Sequence, residues 1–169
     1  MRAGKIKVAW LTGYPITRLR PEVAILRSPK LEHPAGWVVN LSGALAKRED
    51  IELQIIAASP VIAHSQSITR DGITFNVIRH AVPFTARGFP GYLRLDLWSG
   101  YAVLRWHIKR LLRSLRPDAI HVHGTESGYG LGALGVVVAA IVSVQGIVLS
   151  AGARRPFASS HPYNAFQEC

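Results

Sequence analysis

Pro117-Asp-Ala-Ile-His-Val-His-Gly-Thr-Glu126 is the stretch whose reading decides the fold. Ala119 to Val122 reads as a buried strand. It ends abruptly in the polar group His123, Gly124, Thr125 and Glu126. Open parallel α/β sheets bind ligands beyond the carboxyl ends of their strands, so these four residues stand where a site belongs. The pattern recurs on both sides. Val8 to Leu11 runs into Thr12-Gly13-Tyr14, and Ile141 to Val144 runs into Gln145-Gly146.

The segment before this stretch is the clearest helix in the chain, about Leu93 to Leu115. Leu97, Tyr101, Leu104, Ile108, Leu111 and Leu115 follow one another in steps of four and three, one continuous apolar stripe. Arg94, Arg105, Lys109, Arg110, Arg113 and Arg116 fill much of the rest, and Pro117 ends it. After it, Gly128 to Val138 reads as a short helix and Ile141 to Val144 as a last, fully buried strand. Upstream, Lys5 to Leu11 is a first strand and Pro34 to Arg48 a helix on the spacing of Val38, Leu41 and Leu45. Ile51 to Ala58 is a second strand. Ile73 to Ile78 is a third, entered through the Asp71-Gly72 turn signal. Residues 14–33 and 83–91 read as loops. Strands alternating with helices in this order imply an α/β fold: a doubly wound, mainly parallel, Rossmann-like sheet of about five strands with flanking helices.

Composition sets the limits. At 169 residues, 49% of them apolar, the chain is expected to form one domain over residues 1–150, followed by an irregular tail, 151–169, that holds two prolines. One cysteine, Cys169, excludes an internal disulfide and suits a reducing, cytoplasmic setting. The first apolar run, Val8 to Leu11, is too short for a secretory signal. A net charge of +10 favours partners that carry phosphate or an anionic surface. Leu131 to Ala151 has the length of a membrane span, with Arg154-Arg155 as a flank. Ser143, Gln145 and the five glycines from Gly128 to Gly146 stand against it, and the β-branched residues Val136-Val137-Val138 and Ile141-Val142 suit a buried strand.

His123 leads the candidate chemistry, because an imidazole beside a glycine at a strand end can bond a sugar hydroxyl or phosphate, or move a proton near neutral pH. His121 reads as structural. In Thr12-Gly13-Tyr14, the glycine lets backbone amides approach an anion closely, although no Gly-Lys-Ser/Thr of a Walker loop follows. Gly36-Trp37 opens a helix whose N-terminus would suit an acceptor or a phosphate; equally, Gly36 is only a turn and Trp37 packs in the core. Gly130-Leu-Gly-Ala-Leu-Gly135 matches a dinucleotide fingerprint in letters only, since it lies inside the presumed helix and no acidic residue follows about 20 positions on. No Cys/His metal spacing is present, and no cofactor is expected. The basic side of residues 94–116 reads as a solvated outer face. The face could otherwise meet nucleic acid or an anionic membrane surface; of the two, peripheral contact at the inner membrane surface is kept as a partner and nucleic acid is not expected.

Four segments carry a family resemblance in chain order: Val8-Ala-Trp-Leu-Thr-Gly13; His33-Pro-Ala-Gly-Trp-Val-Val-Asn-Leu41 with Ala44-Leu45; Pro117 to Glu126 with Tyr129-Gly130-Leu131; and Val142-Ser-Val-Gln-Gly-Ile147. Together they resemble the N-terminal domain of GT-B glycosyltransferases of the family 4 type, over about residues 5–148. The resemblance implies two facing Rossmann-like domains and transfer of a sugar from a nucleotide-sugar donor to a glycosyl acceptor, with retention of configuration and usually without a metal. By matching positions it implies that Gly13 lies near the donor diphosphate and that His123 is catalytic, contacting the transferred sugar or its phosphate. Glu126 and the loop at Gly36 would shape the acceptor side. Tyr14, Trp37, Gly124, Thr125, Gln145 and Gly146 complete the expected substrate-binding set. The E-x7-E region of the family's second domain lies outside the matched segments, so a truncated copy, inactive alone, is the expectation. The alternatives are a non-catalytic binding domain that needs a partner, or a small membrane protein anchored by residues 131–151.

Overall fold

A computed structural model of the protein describes residues 4–26, 36–80, 95–124 and 128–144. In chain order its elements are β1 (Ile6–Leu11), a 3-10 turn (Ile16–Leu19), α1 (Gly36–Ala46), β2 (Ile51–Ser59), β3 (Gln66–Arg70), β4 (Ile73–Arg79), α2 (Leu95–Trp98), α3 (Ala102–Leu115), β5 (Ala119–His123), α4 (Tyr129–Ala133) and β6 (Ala139–Ser143). The strands form one sheet in the order β3-β4-β2-β1-β5-β6. Among these described strands every pairing is parallel except β3 with β4.

Alternation along the strands divides the core into two layers. On one face Trp10, Leu53, Ile55, Phe75 and Val77 pack beneath Val38 of α1 and beneath Ile16 and Leu19. On the other, Ala9, Leu11, Ile56, Ile78, Ile120 and Val122 pack against Leu104, Ile108 and Leu112 of α3 and against Tyr129. Each large side chain removed from water in this way contributes roughly 1.5–3 kcal/mol before entropy is counted. Helices on both faces of a mostly parallel sheet make the fold α/β, doubly wound and Rossmann-like.

Three hydrogen bonds anchor the central strands. The Asp118 carboxylate accepts the Lys7 backbone N–H at 2.8 Å, and the Asp118 N–H donates to the Lys7 carbonyl at 2.8 Å. Together they set β5 against β1 at its start. Beneath the far rim, the fully buried Tyr129 hydroxyl accepts the Ala58 backbone N–H at 2.9 Å, and burial pushes its pKa up to about 12. Gly132 lets α4 press against α3, since a Cβ there would stand 2.8 Å from Ile108 Cδ1.

Several expectations need correction. Among the described residues the sheet has six strands, one more than the five read from the sequence, because Gln66–Arg70 pairs antiparallel with β4. That strand sits at the edge with only Ile68 as a large apolar residue, so its sequence carries little alternation. The long helix expected from Leu93 is broken: Gly100 and Tyr101 both take left-handed dihedrals, φ +56° and +58°, and α3 starts afresh after them. Its buried stripe is Leu104, Ile108 and Leu112, with Tyr101, Leu111 and Leu115 packed at its margin. The helix expected to reach Val138 stops at Ala133, and the left-handed Gly135 turns the chain into β6. β6 is not fully buried. It pairs only with β5 among the described residues and leaves Ile141 65% exposed. Residues 131–144 are therefore the end of a short helix, a turn and a strand. No helix among the described residues is long and apolar enough to cross a membrane, which removes the spanning helix over 131–151.

Candidate functional site at the carboxyl rim of the sheet

The parallel register brings the carboxyl ends of β1, β5 and β6 to one rim. Leu11 lies opposite Val122, and Val122 opposite Val142, so β1, β5 and β6 run out together. Past those ends stand Thr12-Gly13, Gly124 and Val144. Gly124 extends the ladder by donating its N–H to the Ser143 carbonyl at 2.8 Å. It then takes φ +82°, a left-handed turn that favours glycine. Thr12 is buried; its N–H donates to the Ile56 carbonyl at 3.2 Å and its hydroxyl to the Gly13 carbonyl at 3.1 Å.

His123 is the last residue of β5, not a residue beyond it, and is 7% exposed. Three rings surround it: His121 with its centroid at 3.9 Å, Trp10 at 4.4 Å and Trp37 at 5.1 Å. The His121 Nε2 shares a hydrogen bond of 2.6 Å with the Ser143 hydroxyl. The His123 Nε2 is buried and has no hydrogen-bond partner among the described residues. Burial, and next the adjacent His121 ring, lower the His123 pKa to about 4; burial lowers that of His121 as well. At neutral pH the site therefore presents an uncharged imidazole inside an aromatic box. Such a group exchanges hydrogen bonds with hydroxyl or phosphate oxygens and does not act as a fixed cation.

The expected residues divide into three groups. His123, Gly124, Gly13, Gly36 and Trp37 come together at the rim. Trp37 is 40% exposed, so it caps His123 while keeping an open face, rather than filling the core. A Cβ at Gly36 would meet nothing within 4 Å, so the described residues do not demand a glycine there. Tyr14 points elsewhere on the same face. Its ring lies 4.9 Å from Phe75 and lines a separate cavity with Arg18, Ser42, Gly43 and Arg70. Thr125, Glu126, Gln145 and Gly146, like the tail 151–169, lie outside the described residues.

Trp10, His121 and Ser143 were not among the expected site residues. The i, i+2 spacing of His121 and His123 was the available signal, because it puts both imidazoles on one sheet face. Trp10 follows from register, as the partner of His121 on β1. Among the described residues no three His, Cys, Asp or Glu side chains gather into a metal-binding group.

Fold and rim together define a Rossmann-like α/β domain with a histidine site at the carboxyl ends of its strands. No family model matches the sequence, and no curated protein matches it. One solved structure with a similar chain path is Glycyrrhiza uralensis UGT73P12 complexed with glycyrrhetinic acid 3-O-monoglucuronide. It is 15% identical, with a TM-score of 0.47, and the match covers 88% of this chain and 30% of that one. The chain thus spans about 30% of the length of that structure's chain.

Proposed function

We propose that this chain is the acceptor-side domain of a GT-B glycosyltransferase, of the retaining family 4 type, that uses a nucleotide-activated sugar. The observation that carries the reading is the His123 ring, buried in its aromatic box with Nε2 unpartnered among the described residues, at the end of a central parallel strand. A neutral imidazole there would bond a hydroxyl or phosphate oxygen of the transferred sugar, and the open face of Trp37 would stack on a sugar ring. The backbone at Gly13 and Gly124 would approach the diphosphate. Glu126 and the loop at Gly36 would shape the acceptor side, and Thr125, Gln145 and Gly146 would complete the substrate-binding set. A second domain, on the same or another polypeptide, would supply the rest of the nucleotide site, so this domain alone would bind without turnover. The setting that fits a nucleotide-sugar donor is cytoplasmic.

Thermal unfolding in the presence of nucleotide-sugars tests this. A ligand that binds only the folded chain stabilises it by about 2.7 kcal/mol at a hundredfold excess over Kd. A rise in Tm with at least one nucleotide-sugar is expected, abolished by His123→Ala and reduced by Trp37→Ala. Absence of any rise across the panel, or an equal rise in His123→Ala, contradicts the reading.

A further inference from the structure

The outward side of α3 carries a second apolar sector that the core does not use. Its buried stripe is Leu104, Ile108 and Leu112. Directly opposite, at helical spacing, run Val103, Trp106, Arg110 and Arg113. Val103 is 46% exposed and Trp106 55% exposed; just upstream, Leu95 and Trp98 of α2 are 48% and 74% exposed. Exposed apolar side chains that gather beside a polar rim are the mark of an interaction surface.

The same stripe turns cationic along its length. The Arg110 guanidinium lies 5.5 Å from the Trp106 ring centroid, and Arg113 and Arg116 follow in the next turn. None of these three arginines has a carboxylate partner among the described residues. The one acidic side chain of residues 95–116, Asp96, is 5% exposed and presents no charge to the surface. The surface therefore pairs an indole and aliphatic sector with an uncompensated cationic sector, side by side on one helix.

We infer that the outer face of α3, with the exposed Leu95 and Trp98 of α2 just upstream, docks on an anionic lipid bilayer. Leu95, Trp98, Val103 and Trp106 would enter the interfacial layer while Arg110 and Arg113 meet lipid phosphates. Indole rings sit at the level of the headgroups, where one part is apolar and the other wet. Cations beside them gain from the negative surface potential of anionic lipids. Nucleic acid would engage the arginines but leave Leu95 and Val103 without an apolar environment, so lipid is the better match. This inference is independent of the sugar-transfer reading, since no residue of the His123 site takes part.

Flotation of the full chain with vesicles tests it. Strong association is expected with equal parts of phosphatidylglycerol and phosphatidylcholine, and little with phosphatidylcholine alone. Replacing Arg110→Gln and Arg113→Gln together is expected to weaken partitioning about thirtyfold. Trp98→Ala with Trp106→Ala should lower it further and remove the blue shift of tryptophan emission on binding. Lys5→Gln with Lys47→Gln removes the same charge elsewhere and should leave binding within about twofold. Circular dichroism melts confirm that each variant is folded. Equal binding to both vesicles, indifference to the arginine and tryptophan pairs, or binding to an RNA oligonucleotide in preference to the anionic vesicles would overturn the inference.

Discussion

Gly128→Ala is expected to destabilise the domain by about 3 kcal/mol, lowering Tm by roughly 6–12 °C, with Gly130→Ala as its neutral companion. Two physical causes act together at position 128. Gly128 takes φ +75°, where an alanine is strained. A Cβ there would also stand 2.5 Å from Tyr101 Cγ and 2.6 Å from Tyr101 Cβ, atoms close to the backbone that cannot swing away. Tyr101 itself holds φ +58° at the start of α3, and its N–H donates to the Asp96 carbonyl at 2.6 Å, so it has little freedom to move. Gly130, two residues on, sits inside α4 with nothing within 4 Å of its Cβ position. Alanine there removes a helix-interior glycine and should leave Tm unchanged or raise it slightly. Differential scanning calorimetry of the two variants reads the contrast. Similar melting points for both would mean that α4 does not seat on the Tyr101 ring.

Acidification is expected to weaken the fold through His123. The folded pKa, about 4, lies below the ordinary value of 6.5, so the native state favours the neutral ring. As pH falls from 6.5 toward 4 the unfolded chain binds a proton that the native chain resists, and stability is lost across that window. The stability is fully present above pH 6.5, and this contribution is flat again below the folded value. Allowing for partial solvent screening, the loss is about 2 kcal/mol. His121, lowered in the same direction by burial, adds to it. Denaturant melts of the wild type and His123→Gln over this range isolate the contribution, because the glutamine does not titrate. The difference between the two curves should slope with pH; parallel curves would show that His123 is already solvated.

The fold class was legible because β1, β2, β4 and β5 are apolar and bounded by turn residues, and because α1 and α3 keep helical spacing. The residues at the ends of β1 and β5 could also be read, since parallel topology sends them to one rim. What the sequence concealed was tertiary. β3 is an edge strand, where Ser67 and Thr69 face solvent and give no apolar pattern. The break before α3 depends on two left-handed residues, and a tyrosine does not announce one. The aromatic box depends on cross-strand register. Trp10 sits opposite His121, and Ser143 opposite His123, through pairings between segments far apart in the chain. Local spacing finds a histidine pair on one face, and Trp37 at a helix start, but not Trp10, which reaches the box only through strand register.

The site reading turns on whether the buried imidazole of His123 meets a sugar ligand. Nuclear magnetic resonance of the histidine ring protons tests this most directly, with the His123 signal assigned by its loss in His123→Gln. The His123 ring is expected to titrate near pH 4 in the free chain and its resonances to shift, saturably, on addition of a nucleoside diphosphate hexose. A ring that titrates near its ordinary value, or whose resonances stay fixed while the ligand is raised to saturation of the panel, would contradict it.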